Sequence, residues 1–133
     1  MTLVVDTSAL VAVLFGEPER ERFRAVLNAH DAVISAGNMI ELLRVVMCRE
    51  PQWLSDVRPL LDAFGIEIAA VDDPQVILAE HGQLRFGKGR GAPPAVLNFG
   101  DLFAYALARH LDAPLLFKGD DFSQTDVRPA LTD

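Results

Sequence analysis

The chain has 133 residues, half of them apolar, with one cysteine and a formal net charge of −7. This composition predicts a single folded domain over residues 1–133 and excludes an internal disulfide. The acidic balance argues against a general nucleic-acid coat, which needs a basic face. No apolar run is long enough for a membrane span, and the N-terminus has no basic signal region, so we expect a cytoplasmic protein without membrane contact.

Short apolar strands alternate with helices along the chain. The strands are predicted at residues 3–5, 32–34, 66–68 and 114–117. The helices are predicted at residues 9–16, 18–30, 36–49, 52–64, 73–86 and 99–111, with a Gly- and Pro-rich loop at 87–95. This alternation is typical of an α/β domain with a mostly parallel sheet.

The carboxylate of Asp6 directly follows the first predicted strand. In parallel sheets, ligands bind beyond the carboxyl ends of the strands, at the point where the strand order reverses. We expect Thr7 or Ser8 to cap the following helix, which leaves the Asp6 carboxylate available for a ligand. The alternative is that Asp6 is itself a turn or cap residue.

Two adjacent carboxylates, Asp120 and Asp121, follow the last predicted strand, and Asp126 lies shortly beyond them. We expect these acids to share an edge of the sheet with Asp6 if the first and last strands are neighbours. Turns favour Asp, so turn chemistry accounts for one of the three carboxylates. The sequence leaves open which of them faces a site.

Two more acids, Glu41 and Asp101, lie within predicted helices. Glu41 flanks an apolar stripe that we predict to be buried, consisting of Met39, Ile40, Leu43, Val46 and Met47. In isolation, Glu41 is interpreted as a boundary charge paired with Arg44. Asp101 is the third residue after the predicted cap Asn98, where the helix N-terminus favours an ionised carboxylate.

These carboxylates would repel one another if they met in one cleft. A hard divalent cation makes such a gathering tolerable. The sequence therefore indicates a metal site built from distant segments.

Other reactive residues give weaker signals. The basic stretch at residues 85–91 is interpreted either as a phosphate-contacting loop or as a solvated surface loop, and Arg44 and Arg49 are weaker candidates of the same kind. The three histidines show no spacing typical of metal ligands. Cys48 is predicted to be a small core residue.

Four motifs, taken in order, resemble those of a PIN domain, in particular the VapC group of toxin ribonucleases. They are the segment 6–10, Glu41 within its helix, the segment 98–106 and the segment 115–126. The resemblance covers nearly the whole chain. It implies a three-layer α/β sandwich, a Mg²⁺- or Mn²⁺-dependent endoribonuclease, frequent homodimerisation and a VapB-type antitoxin as partner. By this resemblance Asp6, Glu41 and Asp101 match the three core acids, and the fourth is Asp120 or Asp121.

Carboxylate oxygens suit Mg²⁺ or Mn²⁺ rather than zinc. We expect Asp6 and Asp101 to bind the ion directly and Glu41 to complete the shell or orient water. Asp120 or Asp121 would support a second ion or an outer water. Hydrolysis by activated water would leave a 5′-phosphate and a 3′-hydroxyl.

Two other functions stay open at this point. The first is a catalytically inactive PIN-fold module that binds RNA or acts as a scaffold, although the intact acids argue against it. The second is a metal-dependent phosphatase of the aspartate-nucleophile type. Such enzymes use a second Asp two residues after the first, and Ser8 stands there in this chain.

Overall fold

A parallel β-sheet forms the centre of the computed structural model, which describes residues 2–90 and 96–131. Its four strands are β1 (Thr2–Val5), β2 (Asp31–Ser35), β3 (Ile66–Ala69) and β4 (Leu115–Leu116). Their spatial order is β3-β2-β1-β4, and every neighbouring pair is parallel. The strand order therefore reverses at β1, and the carboxyl ends of β1 and β4 lie side by side.

Helices cover both faces of this sheet. They are α1 (Thr7–Leu14), α2 (Arg20–Ala29), α3 (Ala36–Arg49), α4 (Val57–Phe64), α5 (Asp73–Phe86) and α6 (Phe99–Leu111). The predicted helix over residues 52–64 is in fact a 3₁₀-helix, Pro51–Asp56, followed by α4. Gly65 ends α4 in the left-handed conformation, with φ of 65°, which glycine adopts without steric cost.

Strand β1 shows why the domain has three layers. Its side chains alternate, so Leu3 and Val5 join one apolar core while Val4 joins the other. The first core packs α1–α4 on one face, and the second packs α6 on the opposite face. Burying one such side chain contributes about 1.5–3 kcal/mol. The predicted α/β three-layer sandwich with a parallel sheet is confirmed.

The buried side of α3 differs from the predicted stripe. Met39 and Val46 are buried as expected, but Ile40 is 69% exposed and Met47 is 49% exposed. Leu42 takes their place in the core. Apolar residues occur on both sides of this helix, so their spacing alone did not identify the packed side.

Two further observations concern the surface. Cys48 is exposed, so its prediction as a core residue was wrong. None of the helices in the described part of the chain combines the length and apolar character that crossing a bilayer requires.

Candidate active site

Asp6 lies at the junction of β1 and α1 and is buried. Its Oδ2 accepts hydrogen bonds from the Ser8 backbone N–H at 3.0 Å and from Ser8 Oγ at 2.6 Å. Asp6 is therefore the N-cap of α1, and the expectation that Thr7 or Ser8 would take this role was wrong. The other oxygen, Oδ1, is buried and accepts no hydrogen bond from any described residue. Burial raises the pKa of Asp6 to about 6, although the bonds from Ser8 oppose this.

Asp101 lies in the first turn of α6, where Asn98 is the N-cap as predicted. Asn98 Oδ1 accepts from the Asp101 backbone N–H, and the Asn98 N–H donates to Asp101 Oδ2, both at 3.0 Å. Burial raises the pKa of Asp101 to about 7, and the charges of Asp6, Asp121 and Glu41 add to this. Burial and like charges thus outweigh the hydrogen bond from the Asn98 N–H, which favours the ionised carboxylate.

Glu41 is held between α3 and α6. Asn38 Nδ2 donates to Glu41 Oε1 at 3.2 Å and to the carbonyl oxygen of Gly100 at 2.9 Å. A Cβ atom at position 100 would overlap the Glu41 carboxylate. Neither Asn38 nor Gly100 was predicted as a site residue from the sequence. Their signals were a polar residue three positions before Glu41, on the same side of the helix, and a glycine directly before Asp101.

An open cleft of about 480 Å³ at the carboxyl edge of β1 and β4 is lined by five acids. Four of them are the candidates predicted from the sequence, Asp6, Glu41, Asp101 and Asp121, and the fifth is Glu17. The charges of Asp6, Glu41 and Asp121 each raise the pKa of Asp101. The structure thus assembles acids from four separate segments at the predicted edge.

The other two candidate acids lie outside this cleft. Asp120 lines a neighbouring groove. Asp126 accepts a hydrogen bond from the Tyr105 hydroxyl at 2.8 Å and from Arg85 at 3.2 Å, and it lies 3.6 Å from Arg109 Nε. Asp126 therefore ties the segment after β4 to α5 and α6, while Asp121 is the member of the trio that faces the site.

The cleft offers the donors that a hard cation prefers. The carboxylates supply oxygen ligands, and the buried Oδ1 of Asp6 is available to bind an ion. Within residues 2–90 and 96–131, no three acidic, histidine or cysteine side chains already form a metal-binding group. Three of these carboxylates would therefore have to move closer together to share one ion. The residues present fit Mg²⁺ or Mn²⁺.

The basic residues considered from the sequence lie elsewhere. Arg85 pairs with Asp126, and Lys88 and Arg90 are exposed; Gly91, the last residue of that stretch, lies outside the described residues. Arg44 lines a groove next to Glu41, and the Arg49 guanidinium stacks on the Phe15 ring at 4.0 Å. None of these five lines the acidic cleft.

The chain is similar to known proteins along most of its length. The family model for the PIN domain matches residues 3–128. The chain belongs to the PIN-domain family. This PIN domain is 42% identical over 132 residues to ribonuclease VapC42 of Mycobacterium tuberculosis, covering 98% of this chain and 100% of the relative. It is 40% identical over 128 residues to ribonuclease VapC30 of the same species, covering 94% of this chain and 95% of the relative.

Solved structures share the fold of the PIN domain at low identity. A VapBC2 structure from Rickettsia felis, bound to a promoter DNA fragment, aligns with a TM-score of 0.75 and 15% identity, covering 97% of this chain and 96% of that one. VapC20 of Mycobacterium tuberculosis, a toxin that cleaves the sarcin–ricin loop, aligns with a TM-score of 0.73 and 16% identity, covering 96% and 99%. The VapC resemblance inferred from the motifs is confirmed.

Proposed function

We propose that this PIN domain is a Mg²⁺- or Mn²⁺-dependent endoribonuclease and the toxin of a type II toxin–antitoxin pair. The observation that carries the proposal is the convergence of Asp6, Glu41, Asp101 and Asp121 on one cleft, with a buried Asp6 oxygen that accepts no hydrogen bond from the described residues. The near full-length relatives named ribonucleases support RNA as the substrate class. The proposed site of action is the cytoplasm.

Asp6 and Asp101 would hold the cation, since both are buried and their raised pKa values are relieved by a positive charge. When bound, the ion supplies Lewis-acid activation of water and positive charge beside the scissile phosphate. Asn38 fixes the Glu41 carboxylate at the cleft wall, where it can accept a proton from the attacking water. Asp121, on the exposed side of the cleft, supports an outer water or a second ion.

The residues around the cleft also bear on the products. The lining within the described residues contains no histidine that could remove a proton from a ribose 2′-hydroxyl. Attack by water, rather than by the 2′-hydroxyl, expels the 3′-oxygen from phosphorus. The expected ends are therefore a 5′-phosphate and a 3′-hydroxyl, and no 2′,3′-cyclic phosphate should form.

The test is incubation of the purified protein with total RNA in Mg²⁺, in Mn²⁺ and in EDTA, followed by mapping of the new ends. Cleavage in either metal with 5′-phosphate ends, and its loss in EDTA, supports the proposal. RNA that is bound equally well with EDTA or Mg²⁺ and never cut would instead favour the inactive RNA-binding or scaffold module. Release of phosphate from small esters would favour the phosphatase.

A VapB-type antitoxin is the proposed partner protein. Solved structures with the same fold include a toxin–antitoxin complex from Klebsiella pneumoniae, with a TM-score of 0.71 and 16% identity. Co-expression with a candidate VapB-type antitoxin, followed by co-purification and loss of cleavage, is the direct test. Full activity in the presence of that protein would contradict the pairing.

We also propose a homodimer that buries an exposed apolar surface on α3, α5 and α6. Phe99 is 76% exposed and stacks edge-on against Phe103, with ring centroids 5.1 Å apart. These two rings line both a groove next to Ile40 and a groove next to Val76, so the four side chains form one continuous patch. Such patches mark interfaces. A Phe99→Glu variant that stays dimeric in light scattering would contradict this surface.

A further inference from the structure

Lys118 is the one cationic side chain among the described residues that line the acidic cleft. Its Nζ lies 3.0 Å from Glu17 Oε1, with which it forms a hydrogen bond, and 3.3 Å from Glu19 Oε1. The lysine side chain remains 34% exposed. The hydrogen bond to Glu17 raises the pKa of Lys118, so the ammonium stays charged at neutral pH.

The position of Lys118 is fixed relative to the proposed metal ligand Asp6. The Lys118 backbone N–H donates to Ser8 Oγ at 3.0 Å, and Ser8 Oγ in turn donates to Asp6 Oδ2 at 2.6 Å. One serine hydroxyl therefore joins the segment after β4 to the end of β1. The flexible four-carbon stem of the lysine starts from this anchored backbone at the rim of the cleft.

An RNA strand entering the cleft meets a strongly negative surface. Five carboxylates line the cleft, including that of Glu17. A divalent ion offsets two of these charges and leaves a net negative site, which repels a polyanion. We propose that Lys118 leaves its glutamate partners and binds a non-bridging phosphate oxygen of the RNA at the mouth of the cleft. This inference rests on the proposed ribonuclease function.

In this arrangement Glu17 and Glu19 hold the ammonium at the rim until a phosphate competes for it. The simpler role for the cluster is structural, as a tie between the α1–α2 connection and the segment after β4. The groove on the other side of Lys118 contains Glu19 and Asp120 beside Arg22. That mixture of charges does not favour a polyanion, and the inferred contact is therefore confined to the acidic cleft.

The experiment measures binding of a fluorescein-labelled single-stranded RNA of mixed sequence by anisotropy, at several salt concentrations, with Ca²⁺ in place of Mg²⁺. Lys118→Ala should weaken binding about tenfold, as expected for one lost charge-assisted bond. It should also reduce the salt slope by about 0.7, the value for one phosphate contact on a single strand. Lys118→Arg should restore most of the RNA affinity and most of the salt slope. Arg128→Ala is the matched control, because it removes an ion-paired cation from Asp112, away from the cleft.

A double-mutant cycle separates the phosphate contact from a structural tie. Glu17→Gln should tighten RNA binding in the wild-type background, and much less so once Lys118 is alanine. If the cluster is only structural, both variants lower the melting temperature and leave affinity and salt slope unchanged, which overturns the inference. In Mg²⁺, wild-type protein that cuts no RNA defeats the proposed function, whereas cleavage with an unaltered KM in Lys118→Ala defeats only the Lys118 contact.

Discussion

Gly100 of α6 packs against the carboxylate of Glu41 on α3 so closely that one added methyl group would overlap it. Gly100→Ala should therefore displace Glu41 and break the Asn38 contacts that hold it. We expect cleavage to fall about 10²-fold, the cost of a misplacement on the order of 1 Å. The measurement is kcat on an RNA that the wild-type protein cuts.

An aspartate in place of Glu41 provides the control for this prediction, because its side chain is one methylene shorter. Glu41→Asp in the Gly100→Ala background removes the overlap and should recover part of the lost activity. Melting temperatures of both variants show whether the fold survives. A wild-type cleavage rate in Gly100→Ala would show that catalysis does not depend on the observed position of the Glu41 carboxylate.

Asp101→Asn should abolish metal-dependent cleavage, with a loss of at least about 10²–10³-fold. The amide oxygen can still accept from the Asn98 N–H, so the cap and the fold should remain. The metal-free variant should melt at or above the wild-type temperature, because a buried like charge is gone. The stabilisation that Mg²⁺ gives to the wild-type protein should be lost. Unchanged turnover in Mg²⁺ would refute the role of Asp101.

The adjacent acids Asp120 and Asp121 make a matched pair of variants. Asp121→Asn should reduce cleavage by about 10–100-fold, which is the usual loss when a residue that supports the metal ligands without binding the ion is mutated. Asp120→Asn should leave the rate nearly unchanged, because that side chain lies outside the cleft. The measurement is the cleavage rate of both variants at saturating Mg²⁺. A larger loss in Asp120→Asn than in Asp121→Asn would mean that Asp120 faces the site.

The metal-free protein should become more stable as the pH falls from 8 to about 5.5. In the folded state the pKa of Asp6 is raised to about 6 and that of Asp101 to about 7, both above the ordinary 3.8. The folded protein therefore binds protons that the unfolded chain releases, and the gain appears as the pH drops through these values. We expect on the order of 1–3 kcal/mol in urea unfolding.

Saturating Mg²⁺ should reverse this trend, because protons and the ion compete for the same carboxylates. Asp101→Asn should flatten the metal-free pH profile. A wild-type profile that is flat, or that falls toward pH 5.5 without metal, would contradict the burial of these two charges.

Much of the site followed from the sequence because strand ends are easy to recognise. Asp6 after one apolar run and Asp121 after another could be placed on a shared edge by the rules of parallel sheets. The choice between Asp120 and Asp121 could not, since it depends on the turn conformation after Gly119, where φ is 95°. Burial on α3 was equally ambiguous, because Ile40 and Leu42 are similar in hydrophobicity and only packing decides between them.

The capping roles were hidden for a different reason. Asp6, Thr7 and Ser8 all carry side-chain oxygens that can cap a helix, so composition alone does not select one. In the structure Asp6 serves both as a cap, through Oδ2, and as a candidate ligand, through Oδ1. A single carboxylate can do both because it has two oxygens.

The hydrogen bond from Lys118 to Ser8 joins positions 110 residues apart. Contacts this remote in sequence form only after a long loop has closed, which is the slow part of folding. During refolding, helical signal should therefore return before any cutting activity. The proposed catalytic centre takes Asp6 from the end of β1 and Asp121 from the segment after β4, so it is complete only once this long-range contact has formed.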